Sequence, residues 1–302
     1  MIPAIKRLGF DIPVICSRNI KKAKIFAKEF GIHQYTDNPN DLKNIDAVYI
    51  SSPPSEHAES IEFFLNNGIN VLCEKSLTTS LKDTERLINL AESKGLLIME
   101  NYAFQFHPQW KWIVEKIESG SLGKILSIDA SFRFPKRPDP NDFRYNIELG
   151  GGALLDCGGY PLMIFNLLSK GEHLHTQFSQ IYREDLDIHG SAMMCDEDRT
   201  FHLSWGMESF YRCSIEIIGT EGMIFSPKIF TAKADELVHV HYVHSGDTDP
   251  NIFTFQSDQF ADILHEFERC IKEKDLSYHR NIKYQSYLQE NAKTTSIRTF
   301  IV

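Results

Sequence analysis

Asp156 and Tyr160 stand four residues apart inside ELGGGALLDCGGYP, residues 148–161, a run that holds five glycines. A carboxylate and a phenol at that spacing share one helix face once a helix has begun by Ala153. Such a pair can orient a hydroxyl and deliver a proton to a developing alkoxide. Glycines ahead of a helix let backbone approach a ligand closely, and a helix start offers free N–H groups. The plainer reading of the same run is a helix entry with a satisfied aspartate and a buried tyrosine. Lys75 is a third candidate, ending an apolar run beside Glu74. A partly desolvated lysine has its pKa lowered toward the working range, whereas a solvated Glu–Lys pair contributes little.

The elements that must position these groups alternate in type. FDIPVICS (10–17) reads as a strand and NIKKAKIFAKEFG (19–31) as a helix closed by Gly31. DAVYISSPP (46–54) is a strand ending in small residues and prolines, and SEHAESIEFFLNNG (55–68) a helix with Ser55 as its N-cap. NVLCEK (70–75), a helix over 79–95 and LLIMEN (96–101) complete the series. Near-continuously apolar strands alternating with helices predict an α/β fold, a Rossmann-type doubly wound parallel sheet. Ligands bind such sheets outside the carboxyl ends of the strands, here Ser17-Arg18, Ser51 to Pro54, Glu74-Lys75 and Glu100-Asn101. After Asn101 the texture changes. A helix over 108–119, a strand over 125–134, a polar loop over 135–145 and strands between 176 and 243 predict an α+β domain with a large, mostly antiparallel sheet. Two further helices, 255–274 and 282–299, finish the chain. The division expected is 1–100 and 101–302.

Ser17 and Arg18 end the strand at which dinucleotide folds read the adenosine ribose. An acid there accepts from the 2′-OH of NAD, whereas an arginine accommodates the 2′-phosphate of NADP. No acid follows Ile15 until Glu29, and Lys21 and Lys22 add positive charge. Solvated cations at a helix start oppose its dipole, so a phosphate is the expected neighbour and NADP(H) is preferred over NAD(H). His57 and His107 flank the cleft, with a satisfied structural role as the competing reading. His239 and His241 share a strand face near His244, but no carboxylate or cysteine stands at ligand spacing, so no metal is expected.

Bulk properties exclude other classes. The net charge of −9 argues against a nucleic-acid surface, and no apolar run approaches the ~20 residues that span a bilayer. The first residues do not read as a signal peptide. Six scattered cysteines without a CxxC pair fit a reduced, cytoplasmic setting.

CEKS, then MENYAFQFHPQW, then GKI, then GGGALLDCGGYP resemble, in that order, the Gfo/Idh/MocA family of NAD(P)-dependent sugar oxidoreductases. Within it, RFPKRPDPNDFRYNIELGGGALLDCGGYP looks most like the nucleotide-sugar 3-ketoreductases, with similarity to dihydrodiol and xylose dehydrogenases. The resemblance implies hydride transfer to or from a carbonyl or hydroxyl of a sugar or nucleotide-sugar, and a homo-oligomer formed through the second-domain sheet. Lys75 matches the lysine of the family's Glu-Lys-Pro motif, Asp156 its motif aspartate, and Tyr160 stands where many members carry histidine; these three are the catalytic candidates. Tyr160 is the expected acid, with Lys75 lowering its pKa or exchanging roles with it. Ser17, Arg18, Lys21, Ser52, Pro53, His57, Glu74 and Lys75 are the cofactor candidates. Asn101, Phe104, His107, Arg144, Asp156 and Tyr160 are the substrate candidates, with Asp142 beside Arg144. Ser76 replaces the family's proline, which predicts a less rigid loop around Lys75. Against the family pattern, roughly 20–30 residues are expected to be missing at the start, taking the first strand and its glycine-rich turn. That expectation leaves an alternative, a non-catalytic sugar-nucleotide-binding or regulatory protein of the same descent.

Overall fold

The computed structural model describes residues 1–170 and 175–301. Helix α1 (Ile2–Arg7) precedes β1 (Val14–Cys16), α2 (Ile20–Glu29) and β2 (Gln34–Thr36). Asn19 caps α2 by accepting from the Lys21 and Lys22 N–H groups. β3 (Ala47–Ile50), α3 (His57–Asn66), β4 (Asn70–Cys73), α4 (Leu81–Lys94) and β5 (Ile98–Glu100) follow. The strands pair in parallel as β1-β2 and as β3-β4-β5, two separate sheets among the described residues. Ser55 is not the cap of α3: Pro53 and Pro54 fix a 3-10 turn, Pro54–Glu56, and α3 begins only after it.

Alternation along β4 assigns its two faces. Val71 and Cys73 pack with Ile61 and Leu65 of α3 and Leu87 and Ile88 of α4, while Leu72 turns the other way, toward Ile263, Leu264 and Phe267. Those three belong to α7 (Gln259–Glu273), so a helix from the end of the chain covers the first sheet. Gly95, at φ 64°, closes α4 in the left-handed conformation that favours glycine.

The second sheet has nine strands in the order β13-β12-β11-β10-β6-β9-β8-β7-β14. They are β6 (Ile125–Arg133), β7 (His175–Arg183), β8 (Leu186–Cys195), β9 (Thr200–Gly206), β10 (Arg212–Gly219), β11 (Gly222–Ser226), β12 (Val238–His244), β13 (Asn251–Phe255) and β14 (Ile297–Ile301). All neighbours are antiparallel except β6 with β9 and β7 with β14. Helices α5 (Pro108–Glu118) and α6 (Gly159–Leu168) contribute to its core, where Leu162, Ile164 and Phe165 meet Phe201, Leu203 and Trp205. α8 (Tyr278–Thr295) joins the two halves: Ile282 enters the first core, and Leu288 and Ala292 the second. Two elements depart from the sequence reading. Residues 251–255 form an edge strand beyond the expected end of the strands at 243, so that α7 begins at Gln259 rather than 255, and α8 stops at Thr295 so that 297–301 pair with β7.

Candidate active site

β4 ends at Cys73 and delivers Glu74 and Lys75 to the carboxyl edge of the parallel sheet. Opposite them, Leu154–Gly158 form a single π-helical turn that runs directly into α6. Such wide turns recur at functional sites. The Lys75 ammonium donates to the Asp156 carbonyl at 2.5 Å and to its Oδ1 at 2.9 Å. Arg144 Nε donates to the other carboxylate oxygen at 2.7 Å, and Arg144 is itself bonded to Asp142. Burial alone would raise the Asp156 carboxyl, but Lys75 and Arg144 outweigh it and hold it below its ordinary value. Both oxygens are therefore occupied by cations.

Tyr160 sits one turn on, with Lys75 Nζ 5.5 Å from its ring centroid. Four aromatic rings box it in: Phe132 at 5.0 Å, Tyr102 and Phe230 at 5.3 Å, and Phe104 at 6.2 Å. Burial first, then the Glu74 and Asp156 carboxylates, push its phenol well above the ordinary value. That corrects the expectation that Lys75 lowers it: the ammonium is committed to Asp156. The phenol is consequently neutral and a donor throughout the physiological range.

The loop carrying Lys75 is anchored, contrary to the expectation from Ser76. Ser76 is fully buried; its hydroxyl donates to the Leu155 carbonyl at 3.2 Å and accepts from Gln289 Nε2 at 2.7 Å. The Lys75–Ser76 peptide bond is cis. Gln285, one turn before Gln289 on α8, holds the Gly159 carbonyl at 2.8 Å. Glu100, at the end of β5, accepts the Leu77 N–H at 2.7 Å. Burial drives its carboxyl up to about 8 despite that bond and the nearby Lys75 charge.

The glycines answer to protein atoms. A Cβ on Gly150 would stand 2.9 Å from Pro54 Cβ and 3.0 Å from Thr79 Cγ2, so this glycine lets the run dock on the loops after β3 and β4. Gly152, at φ +112°, leaves room for the Asp187 carboxylate, 2.1 Å from where its Cβ would lie.

Other predicted residues divide into supports and exposed groups. Three corrections concern buried side chains. His57 is fully buried, with Nε2 2.8 Å from the Ser52 carbonyl and Nδ1 3.0 Å from that of Ser76; it ties two loops together and has no nitrogen left for a ligand. His107 is also fully buried and caps α5 by accepting the Gln109 N–H at 3.2 Å; burial lowers its pKa to about 4. Phe104 belongs to the aromatic box behind Tyr160 and is fully covered. Asn101 Nδ2 donates to Glu74 Oε1 at 2.7 Å, and the Tyr49 hydroxyl donates to the same atom. His239 bonds Thr254 and His244 bonds the Ser245 carbonyl; among the described residues no group of three or more metal-ligating side chains occurs.

Sequence reasoning placed Glu100 at the ligand edge without a role, and did not find Tyr49, Gln285, Gln289, Phe132 or Phe230 as parts of this site. Phe132 had a signal, since alternation along β6 turns it to the core face. Gln285 and Gln289 had none, because α8 reads as a polar helix.

The carboxyl edge suits a nicotinamide dinucleotide at both ends. Arg18 projects into solvent beyond β1, its guanidinium 2.5 Å from Glu56, with Lys21 and Lys22 exposed on the next turn. The Ser52 hydroxyl, beside Pro53 in the turn after β3, is buried without a hydrogen-bond partner; an atom brought by a ligand would complete it. Among the described residues none of the strands β1 to β5 is followed by a glycine-rich turn that opens a helix.

Residues 2–102 match the oxidoreductase family with the NAD-binding Rossmann fold, and residues 110–225 match the GFO/IDH/MocA C-terminal domain. The chain is 34% identical over 267 residues to a dTDP-3,4-didehydro-2,6-dideoxy-alpha-D-glucose 3-reductase from Actinomadura kijaniata, covering 86% of this chain and 80% of that enzyme. With the enzyme of that activity from Saccharopolyspora spinosa it shares 35% identity over 282 residues, 90% of this chain and 83% of the relative. The crystal structure of KijD10, a 3-ketoreductase from Actinomadura kijaniata in complex with NADP and TDP-benzene, superposes with a TM-score of 0.91 at 30% identity, covering 100% of this chain and 94% of that one. The chain belongs to the Gfo/Idh/MocA oxidoreductase family.

Proposed function

We propose that this chain is an NADP(H)-dependent reductase of a nucleotide-linked ketosugar, a dTDP-3-ketosugar being the substrate class its relatives' activities favour. The observation that carries the reading is the convergence of Lys75, Asp156 and Tyr160 at the carboxyl edge of β4. A nicotinamide held at this edge would supply hydride to the ketone carbon. Tyr160, held neutral by burial, gives its phenolic proton to the resulting alkoxide. Lys75 keeps positive charge beside that oxygen, and Asp156 fixes Lys75 while its own charge is balanced by Arg144. Ser17, Arg18 and Lys21 bind the 2′-phosphate end; Ser52, Pro53 and Glu74 border the nicotinamide end. Residues 1–100 are assigned to the cofactor and 101–302 to the substrate, with α7 and α8 returning to brace the first part.

The same proposal includes a homo-oligomer built on the outer face of the nine-stranded sheet. There Met193, His202, Asp129, Glu216, Phe225 and His241 lie in one cross-strand row. A cytoplasmic setting accords with six free thiols. The test is NADPH oxidation, followed at 340 nm, with a dTDP-3-ketosugar. Turnover that Lys75→Ala abolishes supports the reading, and no turnover by the parent chain contradicts it.

A further inference from the structure

The π-helical turn that carries Asp156 has no cap of its own. The first N–H groups of a helix need acceptors, and these normally come from the side chain just before it. Here Ala153 occupies the N-cap position and Gly151 and Gly152 precede it, so no local side chain can accept.

The acceptor comes from β8. Asp187, following the β7–β8 hairpin, places Oδ2 2.6 Å from the Leu154 N–H, and the Ala153 N–H is directed at the same carboxylate. Gly152 is matched to it, since any side chain there would collide with Oδ1. Lys293 of α8 is near enough for its charge to act on the carboxylate. The Lys293 ammonium donates to the Thr79 carbonyl at 2.5 Å, in the loop that begins with Lys75. The carboxylate thus holds the segment bearing Asp156 and Tyr160, while Lys293 separately holds the segment that begins with Lys75.

We infer that Asp187 is a positioning residue of this active site, a cap supplied from the second sheet that sets Asp156 and Tyr160 against Lys75. It touches none of the three side chains. Its effect on turnover rests on the proposed function; its effect on the helical turn does not.

Hydrogen exchange read by mass spectrometry over residues 150–162 of the full chain, with parallel kinetics, tests the inference. Asp187→Ala removes the acceptor, and exchange of the first amides of the turn is expected to quicken by about fivefold. Asp187→Asn keeps an oxygen in the same place and is expected to restore most of the protection. In turnover, Asp187→Ala is expected to lower kcat by about 10-fold with the KM for NADPH nearly unchanged, because a displaced acid is a loss of orientation. Asp187→Asn is expected to recover most of that loss. Should the alanine variant not fold, Asp187→Thr, which suits a strand but falls short of Leu154, serves in its place. Unchanged exchange in Asp187→Ala or Asp187→Thr, or an asparagine variant no better than alanine, would overturn the inference. A parent chain without NADPH turnover would contradict the proposed function instead, and exchange alone would then decide on Asp187.

Discussion

The Lys75 ammonium grips Asp156 at two points, the side-chain Oδ1 at 2.9 Å and the main-chain carbonyl at 2.5 Å. It therefore fixes both the carboxylate and the turn that carries it. Side-chain exposures of 12% and 8% make this a largely buried pair, so removing either partner strands the other.

Lys75→Ala is accordingly expected to reduce turnover by at least ~100-fold and to destabilise the fold by about 3 kcal/mol. Lys75→Arg is not expected to rescue, because the second bond goes to a carbonyl inside a helical turn that a planar guanidinium does not match. Steady-state kinetics and urea denaturation of the two variants check this.

Tyr160→Phe leaves the aromatic box filled and removes only the hydroxyl. Turnover is expected to fall by ~100-fold or more, with the KM for NADPH and the melting temperature close to the parent's. A variant that kept full turnover would remove Tyr160 from the role of acid.

Ser76→Ala takes away the hydroxyl that joins Leu155 to Gln289. Gln289 is 4% exposed and would be left with an unpaired amide, at a cost of about 1–3 kcal/mol. Adding Gln289→Leu is expected to recover part of that loss. A double-mutant cycle by denaturation measures the coupling.

Glu100 gives a dependence on pH. Its carboxyl is raised in the fold from 4.5 to about 8. A raised pKa means that folding favours the protonated form, so this contribution is complete below about 4.5 and is lost as pH rises through 8. Relative to Glu100→Gln, the parent chain is expected to lose stability steadily between those limits. Parallel melts across that range check the sign.

Arg18→Ala tests the cofactor reading. Loss of a charge-assisted bond to the 2′-phosphate is expected to lower kcat/KM for NADPH by about 10-fold or more while leaving NADH little changed. Equal losses for both cofactors would mean that Arg18 does not read the phosphate.

Much of this organisation was legible in sequence because it follows from periodicity. Apolar runs separated by helices placed Lys75 at a strand end, and the glycine run placed Asp156 near Tyr160. What escaped the reading depends on contacts between distant segments. Residues 297–301 look like the tail of a helix until β7 offers an edge to pair with. His57 and His107 stand close to strand ends in sequence, yet main-chain groups take both ring nitrogens of His57 and the Nδ1 of His107, which no spacing reveals. The π-helical turn of 154–158 was hidden for a related reason. Asp187, Ser76 and Gln285 satisfy its neighbourhood from three separate parts of the chain.

The most direct test of hydride transfer at this site follows the hydrogen itself. NADPH carrying deuterium at the transferring C4 position is supplied with a dTDP-3-ketosugar, and the product sugar is weighed by mass spectrometry. The account predicts one deuterium in the sugar with the parent chain, and a rate of labelling at least ~100-fold lower with Tyr160→Phe. A reduced sugar without deuterium, or labelling at the parent rate by the Tyr160→Phe chain, would contradict it.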